Sequence, residues 1–192
     1  MGDGMVSNLG RSLWRPIRES GMLSRSKPLN FDPIEEARRQ WVHHGWEDTA
    51  DGMAVVTSVM RAQQIYMARI DAILRPLDLT YSRFELLTLL AFTSSGALPM
   101  NKIGVRMQIH PTSVTSGVDR LEAQKLVQRI SHQTDRRTTL IRILPSGRRI
   151  QKKANALLNE EVFAKPSLSK DELVQLYAIL RSLRIAEHDF AT

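Results

Sequence analysis

Between His110 and Arg120 the chain places four short hydroxyl side chains, Thr112, Ser113, Thr115 and Ser116, followed by a guanidinium at Arg120. Hydroxyls donate or accept hydrogen bonds at close range. They let a backbone approach the edges of planar, polar partners such as bases. Farther on, Arg136 and Arg137 stand side by side after Asp135. Long, permanently charged side chains of this kind pair with phosphate or enter a narrow, electronegative groove. The chemistry on offer is non-covalent recognition of a polyanion. The same hydroxyls would equally suit a solvated helix face, so residue types alone leave both readings open.

Charge distribution favours the first. The chain has 192 residues and a formal net charge of +7. Between Pro99 and Lys153 stand twelve basic residues, among them Lys102, Arg106, Lys125, Arg129, Arg148 and Arg149, against Asp119, Glu122 and Asp135. Twelve minus three gives that segment +9 and leaves −2 for the rest. A basic surface confined to one segment suits nucleic acid.

The elements that must carry these residues follow from periodicity and punctuation. Pro111 opens a helix whose apolar residues Val114, Val118 and Leu121 cluster on one side. At 100° per residue Thr112 and Ser116 fall opposite, with Ser113 and Arg120 on one flank and Thr115 on the other. Gly117 thins one side. Pro99 starts a shorter helix with Ile103 and Met107 inward, and Thr80 caps a helix carrying Phe84, Leu87 and Leu90. From Leu126 to Leu144 alternation replaces helical spacing. Two strands are expected there, joined by the polar tip Gln133-Thr134-Asp135-Arg136-Arg137. A hairpin with a basic tip directly after a short helix pair has the form of a winged helix. Asp119 would repel phosphate unless it pairs with a nearby arginine.

Upstream, Asp32-Pro33 starts a short helix to about His44. A second start at Thr49-Ala50-Asp51 opens a long amphipathic helix through Val55, Val59, Ile65 and Ile73, ending near Pro76. Downstream, Pro145 opens a basic helix to about Val162. Ser169 and Glu172 form a capping box for a last helix with the stripe Leu173, Leu176, Ile179, Leu180 and Leu183. The fold class is therefore mainly α with a small β-hairpin: a winged helix-turn-helix core with flanking helices. Residues 1–29 read as a flexible tail, 30–79 and 151–192 as flanking helices, which the family resemblance given below makes a dimerisation part, and 80–150 as the DNA-binding lobe.

Leu79-Thr80, Leu98, the run from His110 to Glu122, Asp135-Arg136-Arg137 and Gly147 together resemble the MarR (multiple-antibiotic-resistance regulator) family over about residues 52–187. Its pattern opens the recognition helix with Pro-Ser-Thr-Val, continues with Asp-Arg-Leu-Glu, and sets Asp-Arg-Arg ten residues before a helix-opening glycine. Two positions depart: Leu144-Pro145 stands for Leu-Thr, and Pro99 for a capping Ser or Thr. The resemblance implies a transcriptional repressor that is an obligate homodimer with its first and last helices intertwined. It would bind a pseudo-palindromic operator in double-stranded DNA. His110, Thr112, Ser113, Thr115, Ser116, Arg120, Arg136 and Arg137 would make the contacts, with Thr112, Ser113 and Ser116 on bases and Arg137 in the minor groove. It further implies release by a small aromatic or phenolic ligand, for which Trp41, His44, Trp46, Tyr66, Arg69 and Tyr81 are candidates. The rival reading is a ligand-independent architectural or protein-interaction winged-helix protein.

Other classes find little support. With no cysteine there is no disulfide, thiolate metal site or thiol nucleophile. The five histidines are too scattered to argue a metal site, and no cofactor is expected. No Gly-rich phosphate loop, carboxylate cluster or nucleophile with its base suggests an enzyme. The longest apolar run, Leu86 to Phe92, is far shorter than the roughly 20 residues a membrane helix needs, and a cytoplasmic location is expected.

Overall fold

The computed structural model describes residues 28–131 and 138–191. The proposed tail, except for its last two residues, and the hairpin tip with Arg136 and Arg137 lie outside the described residues. Seven α-helices are present among those described: α1 (Pro33–His43), α2 (Glu47–Leu74), α3 (Tyr81–Phe92), α4 (Met100–Met107), α5 (Pro111–Ala123), α6 (Pro145–Leu158) and α7 (Lys170–Ala186). The strands are β1 (Ala97–Pro99), β2 (Val127–Ser131) and β3 (Thr139–Ile143).

Punctuation explains most boundaries. Asp32 accepts from the Ile34 and Glu35 amides to cap α1. Thr80 accepts from the Arg83 amide at the start of α3, and the Ser169–Glu172 box closes reciprocally at α7. The start expected at Thr49 lies at Glu47 instead. Trp46 holds the cap position without a side-chain bond, and the Thr49 hydroxyl donates back to the Trp46 carbonyl. The Leu144 position, where a capping hydroxyl is absent, likewise makes no side-chain cap bond. A π turn over Asn159–Phe163 extends α6 to the expected end near Val162.

The sheet has three antiparallel strands in the order β1-β3-β2, one more than the hairpin expected from sequence. Val127 pairs with Ile143 and Arg129 with Ile141, while Ala97 to Pro99 line the other edge of β3. An edge strand tolerates Pro99, whose missing N–H faces away from the ladder.

One core joins the lobe to the lower half of α2. Leu74, Leu87, Leu90, Ile103, Leu121 and Leu158 are fully buried, and Ile141 and Val127 bring the sheet onto them. Burying side chains of this size contributes roughly 1.5–3 kcal/mol each before entropy is charged. On α6, the buried Gln151 amide donates to the Thr88 hydroxyl at 3.2 Å.

The upper half of α2 and all of α7 are different. No residue of α7 is buried, and Tyr177 and Ile179 are each 66% exposed. Val55, Val56, Val59 and Met60 of α2 are exposed too. The apolar stripes read from sequence are present, but among the described residues nothing covers them.

Gly147 sets the tightest packing constraint. A Cβ there would lie 2.2 Å from the Leu126 carbonyl oxygen and 2.9 Å from Ile143 Cγ1. The first turn of α6 thus presses on the chain leaving α5. Gly147→Ala should lower the stability of the lobe by about 3 kcal/mol in urea unfolding, since backbone cannot yield as a side-chain end can. A loss below about 0.5 kcal/mol would show that this junction relaxes freely.

Candidate nucleic-acid interface

Helix α5 is seated by one face. Val114 is 1% exposed, and Val118 and Leu121 are 0% exposed. Burial of these three residues turns Thr112, Ser113, Ser116 and Arg120 to solvent, as the helical wheel required. His110 caps the helix: its Nδ1 accepts from the Thr112 amide at 3.2 Å. That ring nitrogen is committed to the cap, which leaves only the rest of the imidazole for the contact expected of His110. Thr115 donates to the Pro111 carbonyl at 3.1 Å and faces the α4 side, apart from the other hydroxyls.

Thr112, Ser113, Ser116 and Arg120 share an open cleft of about 700 Å³ with Thr80, Ser82 and Arg83 at the N-terminus of α3. The cleft thus combines hydroxyls, two guanidiniums and a helix N-terminus with one carboxylate, Asp78, which accepts from Gln124. This is a suitable surface for a phosphate chain beside a groove edge. Sequence reasoning missed Ser82 and Arg83, and took Thr80 for a cap alone. The available signal was Ser82-Arg83 in a first helical turn.

Two clamps hold α5 at its far end. Gln124 donates through Nε2 to the Asp78 carbonyl at 2.9 Å and to Asp78 Oδ2 at 2.6 Å, tying the end of α5 to the turn before α3. Arg129 of β2 forms the second. Its backbone N–H donates to Glu122 Oε1 at 2.8 Å, and its guanidinium bonds Glu122 Oε2 and, at 2.5 Å, Asp119 Oδ1. Arg129, counted by sequence as part of the polyanion-binding charge, is therefore satisfied by two carboxylates. Asp119 finds its arginine, and the wing is locked to the recognition helix.

Electrostatics agree with the geometry. The Arg129 N–H, and after it the guanidinium, holds the Glu122 carboxyl below the usual carboxylate range against partial burial. Burial works against the charge on Arg129, but bonds to Asp119 and Glu122 outweigh it and raise its pKa.

The six ligand candidates do not form one site. Trp41 and Trp46 meet edge-on at 5.3 Å, with His44 5.7 Å from Trp46, at the α1–α2 corner. Tyr66 donates to the Pro166 carbonyl at 3.0 Å, and Arg69 to the carbonyls of Glu161 and Lys165 at 2.8 Å. Both therefore hold the connection between α6 and α7. Tyr81 stacks on Phe84 at 6.3 Å. Burial, then the neighbouring Glu85 charge, pushes its phenol pKa up, and burial also raises that of Glu85. Among the described residues no group of three or more His, Cys, Asp or Glu side chains could hold a metal ion, and no helix is long and apolar enough to cross a membrane.

A three-helix lobe, a recognition helix with a polar outer face and a sheet feeding a wing define a winged helix-turn-helix protein. A profile of the MarR family matches residues 77–138. The solved structure of Sco5413, a MarR family transcriptional regulator from Streptomyces coelicolor, is 42% identical, with 74% of this chain and 99% of that one covered and a TM-score of 0.67. The chain belongs to the MarR family. The structure of Bordetella bronchiseptica BpsR, described by the regulation of its DNA binding by 6-hydroxynicotinic acid, is 23% identical, covers 67% of this chain and 91% of its own, and superposes with a TM-score of 0.61. An uncharacterized HTH-type transcriptional regulator of Bacillus subtilis (strain 168), YhbI, is 28% identical over 85 residues, or 44% of this chain; the match spans about half, 54%, of that relative.

The Glu122 clamp has a pH signature. Its folded pKa lies below its unfolded one. Its contribution is therefore complete above the unfolded value and is lost as pH falls through the folded one. The difference in melting temperature between wild type and Glu122→Gln should be largest at neutral pH and close as pH falls below the ordinary carboxylate range and through the lowered folded pKa. A difference independent of pH would mean that the carboxylate charge plays no part in the clamp.

Proposed function

We propose that this chain is a homodimeric, sequence-specific DNA-binding transcription regulator. It would repress by occluding a promoter until a small aromatic acid alters the spacing of its two recognition helices. The observation that carries the DNA reading is the cleft in which the outward face of α5 meets Arg83 and Arg120. Two such helices related by a two-fold axis would read half-sites about one helical turn apart. Arg136 and Arg137, at the wing tip, would reach the adjacent minor groove.

The dimer reading rests on α7 and the upper half of α2, whose apolar stripes stay exposed among the described residues, as surfaces meant for a partner do. Among the ligand candidates, Trp41, His44 and Trp46 are the three that lie together. They support an aromatic subsite at the α1–α2 corner, and the ligand regulation described for BpsR supports the class. Tyr66 and Arg69 are better explained by their backbone carbonyl partners.

A gel shift on the upstream DNA should show preference for an inverted repeat and release by members of a panel of aromatic acids. Arg120→Ala should weaken binding and reduce the salt slope by about 0.9 for each phosphate that is no longer neutralised. Arg137→Ala should weaken it as well. Equal affinity for scrambled duplexes would instead make the protein an architectural binder. For the dimer, Ile179→Glu changes a residue that is uncovered within the protomer. It should shift the protein to monomer in light scattering and abolish operator binding; an unchanged dimer would put the interface elsewhere.

A further inference from the structure

Helix α7 buries no residue in its protomer, yet its C-terminal end reaches the reading head. After α7 the chain turns through His188, whose φ of 54° lies in the left-handed region. The Asp189 amide then donates to the Arg184 carbonyl at 2.9 Å. Asp189 is held from both sides. Its Oδ2 accepts from Arg184 Nε at 2.6 Å, and the Gln108 amide donates both to Oδ1 at 3.0 Å and to the Asp189 carbonyl at 2.9 Å. Arg184 and Arg181 also lie over the Phe190 ring, at 5.1 and 5.5 Å, which fixes the segment beyond the turn.

The position of Gln108 gives this tie its consequence. It caps α4 in the left-handed conformation, with φ of 53°, and only Ile109 and His110 separate it from the first residue of α5. A hydrogen bond to Gln108 therefore acts on the corner that sets the angle between α4 and the recognition helix. Its partner belongs to the end of the helix whose apolar stripe serves the dimer. One carboxylate links the dimerisation part to the corner of the reading head across 81 residues of sequence.

We propose that Gln108 and Asp189 form a positioning latch that fixes the recognition helix relative to the dimerisation helix, so that both helices of a dimer meet their half-sites together. The proposal rests on the operator-binding reading above. Preorganisation of this kind raises affinity for two correctly spaced half-sites and leaves binding by one head to random DNA unchanged. Arg184 holds the carboxylate in place for Gln108, and Gln108 is engaged by Asp189 through both its carboxylate and its carbonyl.

The test is a double-mutant cycle on the full chain with Gln108→Ala, Asp189→Ala and the pair. Each single variant should weaken binding to an inverted-repeat duplex by about three- to ten-fold, the scale of one or two solvent-shared hydrogen bonds. The pair should be no weaker than either single, affinity for a scrambled duplex should stay at wild type, and the melting temperature should fall by only about 2–4 °C, the scale of one lost hydrogen bond. Hydrogen exchange of the Gln108–His110 amides should accelerate in Asp189→Ala, which leaves the strained corner residue in place, while exchange in α3 stays slow. Additive losses, equal losses on scrambled DNA, or unchanged exchange at the corner would overturn the latch. Failure of the operator reading is separately visible, because the unmodified protein would then bind repeat and scrambled duplexes alike.

Discussion

Everything the reading head can do depends on how α5 is seated. A 13-residue helix has too little intrinsic stability to hold an orientation by itself, so tertiary contacts must set it. Val114, Val118 and Leu121 supply the apolar contact, and their complete burial leaves one rotation about the helix axis available. At that rotation the hydroxyl face is outward. The same burial that stabilises the lobe thus selects which side chains meet a partner, and one substitution in the apolar triad would disturb both.

Apolar contact fixes rotation more firmly than tilt, and the polar ties around α5 address the tilt. Gln124 binds its C-terminal end to Asp78, Arg129 binds its last turns to β2, and Gln108 stands just before its start. Three non-glycine residues at its approaches, Asp78, Gln108 and Lys125, occupy the left-handed region at φ of 52°, 53° and 57°. Such conformations cost on the order of 1 kcal/mol for ordinary residues. At each of the three a hydrogen bond to another element offsets that cost: Gln124 to Asp78, Gln108 to Asp189, and the Ser146 hydroxyl to the Lys125 carbonyl. Glycine would remove the strain, but at Asp78 and Gln108 it would also remove the side chain that makes the tie.

How much of this was legible in the sequence follows from the range of each interaction. The α5 wheel, the caps at Asp32, Thr80 and Ser169, and the change from helical spacing to alternation after Leu126 are local signals, and each corresponds to a helix, cap or strand in the fold. Strand β1 escaped because three residues, Ala97-Leu98-Pro99, are too few for any period and exist as a strand only by pairing with β3. The start of α2 was misplaced because Trp46 caps without a side-chain bond, leaving Thr49 as the more conspicuous signal. The long-range ties were invisible. Nothing in Gln124 announces Asp78, and Arg129 counts as one more positive charge until Glu122 and Asp119 are seen around it. Tyr66 and Arg69 have the composition of an aromatic-acid site and instead serve backbone carbonyls about a hundred residues away, a use that residue type cannot distinguish.

The distribution of uncovered apolar surface ties these levels together. In the lobe the residues that carry the helical and strand spacing, among them Phe84, Leu87, Leu90, Ile103, Val114, Val118, Leu121, Val127 and Ile141, are buried, whereas α7 and upper α2 have regular stripes that remain open among the described residues. Periodicity reports that a face will be covered, but not by which chain. A helix whose stripe stays open contributes little to the core of its own chain, so packing opposes its shift against the lobe only weakly. What resists the shift is then polar and local: the Arg69 bonds at one end of the α6–α7 connection and the Asp189 bonds at the other end of α7. A few hydrogen bonds of about 1 kcal/mol each are easily rebalanced by a ligand or by DNA, where a buried core would not be. That difference in scale separates a lobe held by its core from a last helix whose place is set by a few polar bonds.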